Sequence, residues 1–179
     1  MIRPRLSALS LVLLLTPVAG CASADLGIFG GHTYTNSSEA MEPTIKKGAH
    51  MSVRRVDDGY VPRVGDIIIF RQPEGWSEGT PDPEATYVSR VIGVPGGTVK
   101  CCDSHGRLEL DGKALDEPYI AKPPASELDF AVQVPRDRIW VMSDNRHSAL
   151  DSRAHQGAPG TGTISVSDVV GVVEAPRGS

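Results

Sequence analysis

Three stretches of this chain gather side chains with hydrolytic potential. The first is Ser38-Glu39-Ala40-Met41-Glu42-Pro43-Thr44, which runs into Ile45 and then Lys47-Gly48. The second is Tyr87-Val88-Ser89-Arg90-Val91-Ile92-Gly93-Val94-Pro95-Gly96, and the third is Ser143-Asp144-Asn145-Arg146-His147-Ser148-Ala149-Leu150-Asp151-Ser152-Arg153. A serine hydroxyl is a weak nucleophile until an adjacent base takes its proton. His147 and His155, in and just after the third stretch, suggest Ser–His chemistry, although a histidine in a polar loop is more often solvated. Asp144, Arg146, Asp151 and Arg153 read most simply as ion pairs that pin a turn near the strand core. Pro43-Thr44 reads as a turn before a strand, and Ser38 as a functional hydroxyl or an exposed linker residue with equal weight.

Together the three stretches resemble the type I signal peptidases, serine endopeptidases that remove export signals at the membrane surface. That family shows Ser-Met-x-Pro-Thr at its nucleophile, Lys-Arg-x-x-Gly-x-Pro-Gly at its base, and Gly-Asp-Asn-Arg…Ser-x-Asp-Ser-Arg late in the chain. Order and spacing match here from about Ser38 to Val173, and the segment Asp111-Gly112 to Asp116-Glu117-Pro118-Tyr119 has the family's look as well. The resemblance implies a serine activated by a lysine. A lysine accepts a proton only when neutral, so it must be buried among apolar groups that lower its pKa. An oxyanion hole built from a backbone N–H and a serine hydroxyl is implied too, and Ser38 matches the position of that hydroxyl.

The reacting positions depart from the pattern. Ala40 precedes Met41 where the family has its nucleophile, and Ser89 precedes Arg90 where the family has its lysine. Ala149 stands two before Asp151, where the family commonly has a serine that orients the lysine. Met41, Pro43, Thr44, Arg90, Gly93, Pro95, Gly96, Asp144, Asn145, Arg146, Asp151, Ser152 and Arg153 all match, with Ser143 (family Gly) and Gly97 (often Asp) as minor departures. Loss of a nucleophile or base from such cooperating groups costs roughly 10⁴ to 10⁶ in rate. The expectation is a catalytically silent signal-peptidase homologue that binds extended peptides or pre-proteins along strand edges, and that could modulate an active signal peptidase. The alternative is an active endopeptidase using Ser38, with Glu39 or a histidine as base. Its hydroxyl would lie two residues from the usual place, a shift of about 6–7 Å along an extended chain, where a misplacement of about 1 Å is already costly. No cofactor and no metal is implied.

The elements that must hold these positions read as short strands. Aromatic residues are only 5%, while Gly (19) and Pro (14) are generous, a balance that favours strands and turns over long helices. Segments rich in β-branched residues and bounded by Gly, Pro or Asp run over 49–56, 66–71, 86–94, 98–102, 108–110, 138–142 and 166–173. Loops are expected over 72–85, 122–128 and 157–162, and no amphipathic helix of three turns is apparent. The fold class is therefore mainly β, a single domain of antiparallel sheets of the signal-peptidase type over 39–179. It follows a tether over 21–38 and an export signal over 1–20.

That signal has Arg3 and Arg5 ahead of an apolar stretch from Ala8 to Leu15, which is short for a membrane-spanning helix of about 20 apolar residues. Val18-Ala19-Gly20-Cys21 looks like a bacterial lipobox with Cys21 lipidated; Ala22-Ser23-Ala24 offers ordinary cleavage, and an uncleaved anchor is the third course. In each case the remaining chain is exported; lipid anchoring, the favoured course, places the domain at the outer face of the bacterial cell membrane. Cys101 and Cys102 are adjacent, and neighbours in a strand point to opposite faces, so separate packing roles are expected. With no second pair or His cluster they form no metal site. The formal charge is −4, too acidic for the basic footprint that nucleic acid requires.

Overall fold

The computed structural model describes residues 32–77, 82 and 84–174. The expected signal segment, Cys21 and the start of the tether lie outside these residues. The strands are β1 (His32–Thr35), β2 (His50–Arg55), β3 (Ile67–Arg71), β4 (Thr86–Gly93), β5 (Thr98–Cys101), β6 (Leu108–Leu110), β7 (Lys113–Ala114), β8 (Phe130–Gln133), β9 (Arg138–Met142), β10 (Ile164–Ser165) and β11 (Val169–Val173). A 3₁₀ turn over Val166–Asp168 is the only helical element among the described residues. The chain forms a seven-stranded sheet in the order β1-β2-β11-β3-β4-β9-β10 and a four-stranded sheet in the order β7-β6-β5-β8. Every pairing is antiparallel.

The sequence pattern explains which strands sit where. In β2 the apolar Met51 and Val53 are buried, while His50, Ser52 and Arg54 are exposed, the alternation of a strand with one wet face. By contrast β3 and β9 carry continuous apolar runs, as strands covered on both faces do, while β4 is buried on both faces only from Ser89 to Gly93. Ile139 and Val141 of β9 pack with Ile68, Phe70 and Val91 on one side of the large sheet. Trp140 and Met142 point the other way and join Ile92, Val99, Leu108 and Phe130 in the core between the two sheets. Gly93 marks the closest approach there: a Cβ at this position would lie 2.5 Å from Val99 Cγ2 and 2.9 Å from Val134 Cγ2. At the β4–β5 turn, Gly96 takes a positive φ of 82°, which a residue with a side chain rarely adopts.

Two expectations need correction. Part of the segment read as tether is a strand: β1 pairs with β2 in the register His32↔Val53 to Thr35↔His50. Its His-Thr-Tyr-Thr sequence has no apolar alternation because it is an exposed edge strand held by backbone hydrogen bonds. Cys101 and Cys102 do not pack separately but are joined to each other by a disulfide, with Cα atoms 3.0 Å apart across a cis peptide. Strand β5 ends at Cys101, so the alternation that separates neighbours within a strand does not reach Cys102.

Candidate functional site

The frame of the site is a set of buried ion pairs that lock the three sequence stretches together. Arg90 of β4 donates from Nε to Asp144 Oδ1 (2.8 Å) and from Nη2 to Asp144 Oδ2 (2.6 Å), a bidentate pair with the Asp144 side chain fully buried. Thr44 Oγ1 donates to the same Oδ2. One carboxylate thus ties the first, second and third stretches at a single point. Asn145 adds further links, its backbone N–H donating to Ala40 O (2.9 Å) and its Nδ2 to Glu39 O (3.2 Å).

Two more pairs shape the third stretch. Arg146, with a fully buried side chain, makes a bidentate pair with Glu117 (2.5 and 3.2 Å) and also donates to Ser143 O and Ala125 O. Arg153 pairs with Asp151 through Nε (2.9 Å) and Nη2 (2.8 Å), and Asp151 Oδ2 accepts from Ser143 N (3.0 Å). Tyr119 lies under the Arg90 guanidinium at 3.8 Å and donates its hydroxyl to Glu117 Oε1 (3.0 Å). Burial, reinforced by the Glu117 charge, pushes the Tyr119 phenol well above its ordinary range. Glu117 and Tyr119 are the functional-frame residues that sequence reasoning noticed only as a familiar-looking segment, because nothing in the spacing announces a partner for Arg146 29 residues away.

Within this frame lie the positions where reacting groups were sought. Ala40 N donates to Ser38 Oγ across a long 3.4 Å. Ser89 and Ser143 are both buried, and their hydroxyls hydrogen-bond each other at 2.7 Å. Ser38, Ala40, Ser89, Ser143 and Ala149 line one groove of about 350 Å³. Its other walls include Tyr34, Met51, Phe70, Trp76, Tyr87 and Val88, and none of its lining residues is charged. The structure therefore brings the matched positions of all three stretches into a single site.

A family profile described as "Signal peptidase, peptidase S26" matches residues 8–177. The chain belongs to the signal peptidase S26 family. It is 39% identical over 116 residues to a probable signal peptidase I-1 of Synechocystis sp., covering 64% of this chain and 58% of that protein. To a signal peptidase I of Mycobacterium tuberculosis it is 33% identical over 187 residues, covering 80% and 63%. A signal peptidase I of Bacillus caldolyticus is 31% identical over 173 residues, covering 88% and 85%. The chain spans about three fifths of the length of the first two relatives.

The histidines of this S26-family protein are engaged elsewhere. His147 bonds to Lys122 O (3.3 Å) and lies 3.3 Å from Glu127. His155 bonds to Asp151 O (2.8 Å) and stacks on Trp76 with ring centroids 4.3 Å apart. Glu39 pairs with Lys47 at 3.7 Å in solvent. Among the described residues, Ser38 has no hydrogen bond to an imidazole, carboxylate or ammonium.

The sheet also leaves a strand edge open at the groove. All of Thr86 to Arg90 pairs with β3 on one side, but β9 pairs with β4 only from Arg90 onward. The Thr86–Ser89 half of β4 is left without a β9 partner, and these same residues line the groove. Tyr34 and Thr35 of β1, with Asn36, Ser37 and Ser38 just after it, line the same groove. Unpaired backbone N–H and C=O groups at such an edge are a template for an added strand.

Proposed function

We propose that this S26-family protein binds extended peptides of exported pre-proteins without cleaving them. The observation that carries this reading is the pairing of a complete frame with an Ala at position 40 and a serine–serine hydroxyl pair at position 89. Ala40 offers a methyl group where the reaction needs an oxygen. The Ser89 and Ser143 hydroxyls are no proton acceptors near neutral pH, so neither replaces a neutral lysine. The open edge of Thr86–Ser89 and the apolar walls of Tyr34, Phe70 and Tyr87 fit an added strand, with main-chain hydrogen bonds giving affinity and alternate side chains entering the walls. Leu150, 76% exposed at the rim, adds apolar surface for such a chain.

The same reading places the protein at the outer face of the bacterial membrane, lipid-anchored through Cys21, where it meets pre-proteins and modulates an active signal peptidase. Replacing Cys21→Ser should move the chain out of the membrane fraction; retention there would point to an uncleaved anchor. Peptide binding is tested by titrating the full-length chain with an Ala-x-Ala peptide and following tryptophan emission. Of the two tryptophans, Trp76 lines the groove and Trp140 is buried in the core. A saturable change that disappears in Trp76→Phe, with the peptide recovered intact, is the expected result. No saturable change, or a cut peptide, overturns the proposal.

A further inference from the structure

The hydrogen-bonding groups of the groove are unbalanced. Ser89 and Ser143, 4% and 3% exposed, share a single bond between their hydroxyl oxygens. Two hydroxyls carry two protons, and one such bond uses one of them. No other group among the described residues accepts from either oxygen, so one of the two O–H protons is left without an acceptor among them. Leaving a buried donor unpaired is costly, and native interiors avoid it. Close by in the chain, Ala40 N–H has only the long bond to Ser38 Oγ, and the Ser38 hydroxyl proton has no acceptor among the described residues. The groove presents donors and offers no base to match them.

Nor does it present a negative charge. Glu39, Glu117, Asp144 and Asp151 are each paired, with Lys47, Arg146, Arg90 and Arg153, and none of them lines the groove. Unspent donors, in a groove lined by no charged residue, suit a ligand rich in acceptors. A carboxylate fits this description, with two oxygens and about four lone-pair sites. Bonds to an ionised acceptor are roughly twice as strong as neutral ones. The amide of an uncut chain offers one oxygen and adds an N–H donor to a place already rich in donors. Space favours the same choice, since Ala40 ends at a methyl group and leaves room for a second oxygen.

We propose that the groove's ligand is a peptide ending in a free α-carboxylate, held by Ala40 N–H, the Ser38 hydroxyl and the spare proton of the Ser89–Ser143 pair. This rests on the peptide-binding reading above and narrows it. An α-carboxylate at that position is what hydrolysis of a peptide bond leaves behind, so an endopeptidase must supply the ligand and this protein acts after the cut.

The test uses the full-length chain and three peptides of one Ala-x-Ala sequence: the free acid, its C-terminal amide, and a form extended several residues beyond the last alanine. The free acid should bind about tenfold or more tighter than the amide, the range expected for hydrogen bonds to a charged group. Ser38→Ala should weaken the acid several-fold and the amide by a smaller factor, because a bond to a charged oxygen is the stronger one. Ser89→Ala should do the same, and Ser38→Ala, on the exposed side of the site, carries the test if that buried change unfolds the chain. Equal binding of all three peptides overturns the carboxylate assignment while leaving peptide binding intact. Failure of all three to bind overturns both.

Discussion

Ser89 and Ser143 touch, and this contact sets what it takes to rebuild a working site. Ala40→Ser with Ser89→Lys restores the two reacting groups that the family resemblance implies. The new lysine, however, must pass through space that Ser143 fills. With its γ-carbon where Ser89 Oγ now sits, it would lie 2.7 Å from Ser143 Oγ, well inside the separation of about 3.5 Å at which non-bonded atoms attract. Overpacking of this kind costs about 1–3 kcal/mol. If that strain falls on the productive geometry, it corresponds to about fivefold to 150-fold in rate. Adding Ser143→Gly removes the obstacle. The assay is cleavage of a labelled Ala-x-Ala peptide by the full-length double and triple variants, with denaturant midpoints measured alongside. The triple variant should be faster than the double by that factor and at least as stable, and Ala149→Ser should raise it further by orienting the lysine. Equal rates for double and triple variants would refute the steric coupling of these two positions.

Other consequences concern the frame. Asp144→Asn leaves Arg90 buried without a carboxylate, and Glu117→Gln does the same to Arg146; each should lower the unfolding free energy by about 3–5 kcal/mol in denaturant titrations, and a loss below about 1 kcal/mol would show the pair to be dispensable. Gly171→Ala places a Cβ 2.5 Å from Val53 Cγ1 and 2.7 Å from Arg54 O between β11 and β2, so about 1–3 kcal/mol should be lost, read as a lower thermal midpoint. Asp103 is held down to about 2 from 3.8, chiefly by the Arg107 backbone N–H and also by that of His105, against some desolvation. A folded value below the unfolded one means that its stabilisation is present above pH 3.8 and lost as pH falls towards 2. Asp103→Asn should therefore be less stable than the native chain near neutral pH and should converge with it near pH 2.

The strand framework was legible wherever burial leaves a mark on the sequence. Ile67–Arg71 and Arg138–Met142 carry apolar runs because both of their faces are covered, Thr86–Gly93 is marked by its Tyr-Val and Val-Ile pairs, and the limits read from the sequence agree with all three within a residue or two. The strands that escaped are those with least to bury. His32–Thr35 lies on an edge, Lys113–Ala114 and Ile164–Ser165 are two residues long, and Phe130–Gln133 has one fully committed side chain, Phe130. The 3₁₀ turn over Val166–Asp168 shortened the last expected strand from its start, where Ser165 Oγ accepts from Ser167 N.

At the site, the motif positions were readable but their partners were not. Asp144 pairs with Arg90, 54 residues away, instead of an arginine in its own loop. Ser143 looked like a minor departure from glycine until it met Ser89 across the fold. Local spacing carries no information about which side chains the sheets bring face to face. The disulfide at Cys101–Cys102 was hidden for a related reason, since alternation holds only inside a strand and β5 stops between the two residues.

Above all, the native site should bind without cutting. The most direct measurement is prolonged incubation of the unaltered full-length chain with a labelled Ala-x-Ala signal peptide, beside the Ala40→Ser, Ser89→Lys, Ser143→Gly variant, with products read by mass spectrometry. The native chain should give no product, at least about 10⁴ below an intact site, and the variant measurable product. Specific cleavage after the last alanine by the native chain, abolished by Ser38→Ala, would contradict it and make Ser38 the nucleophile.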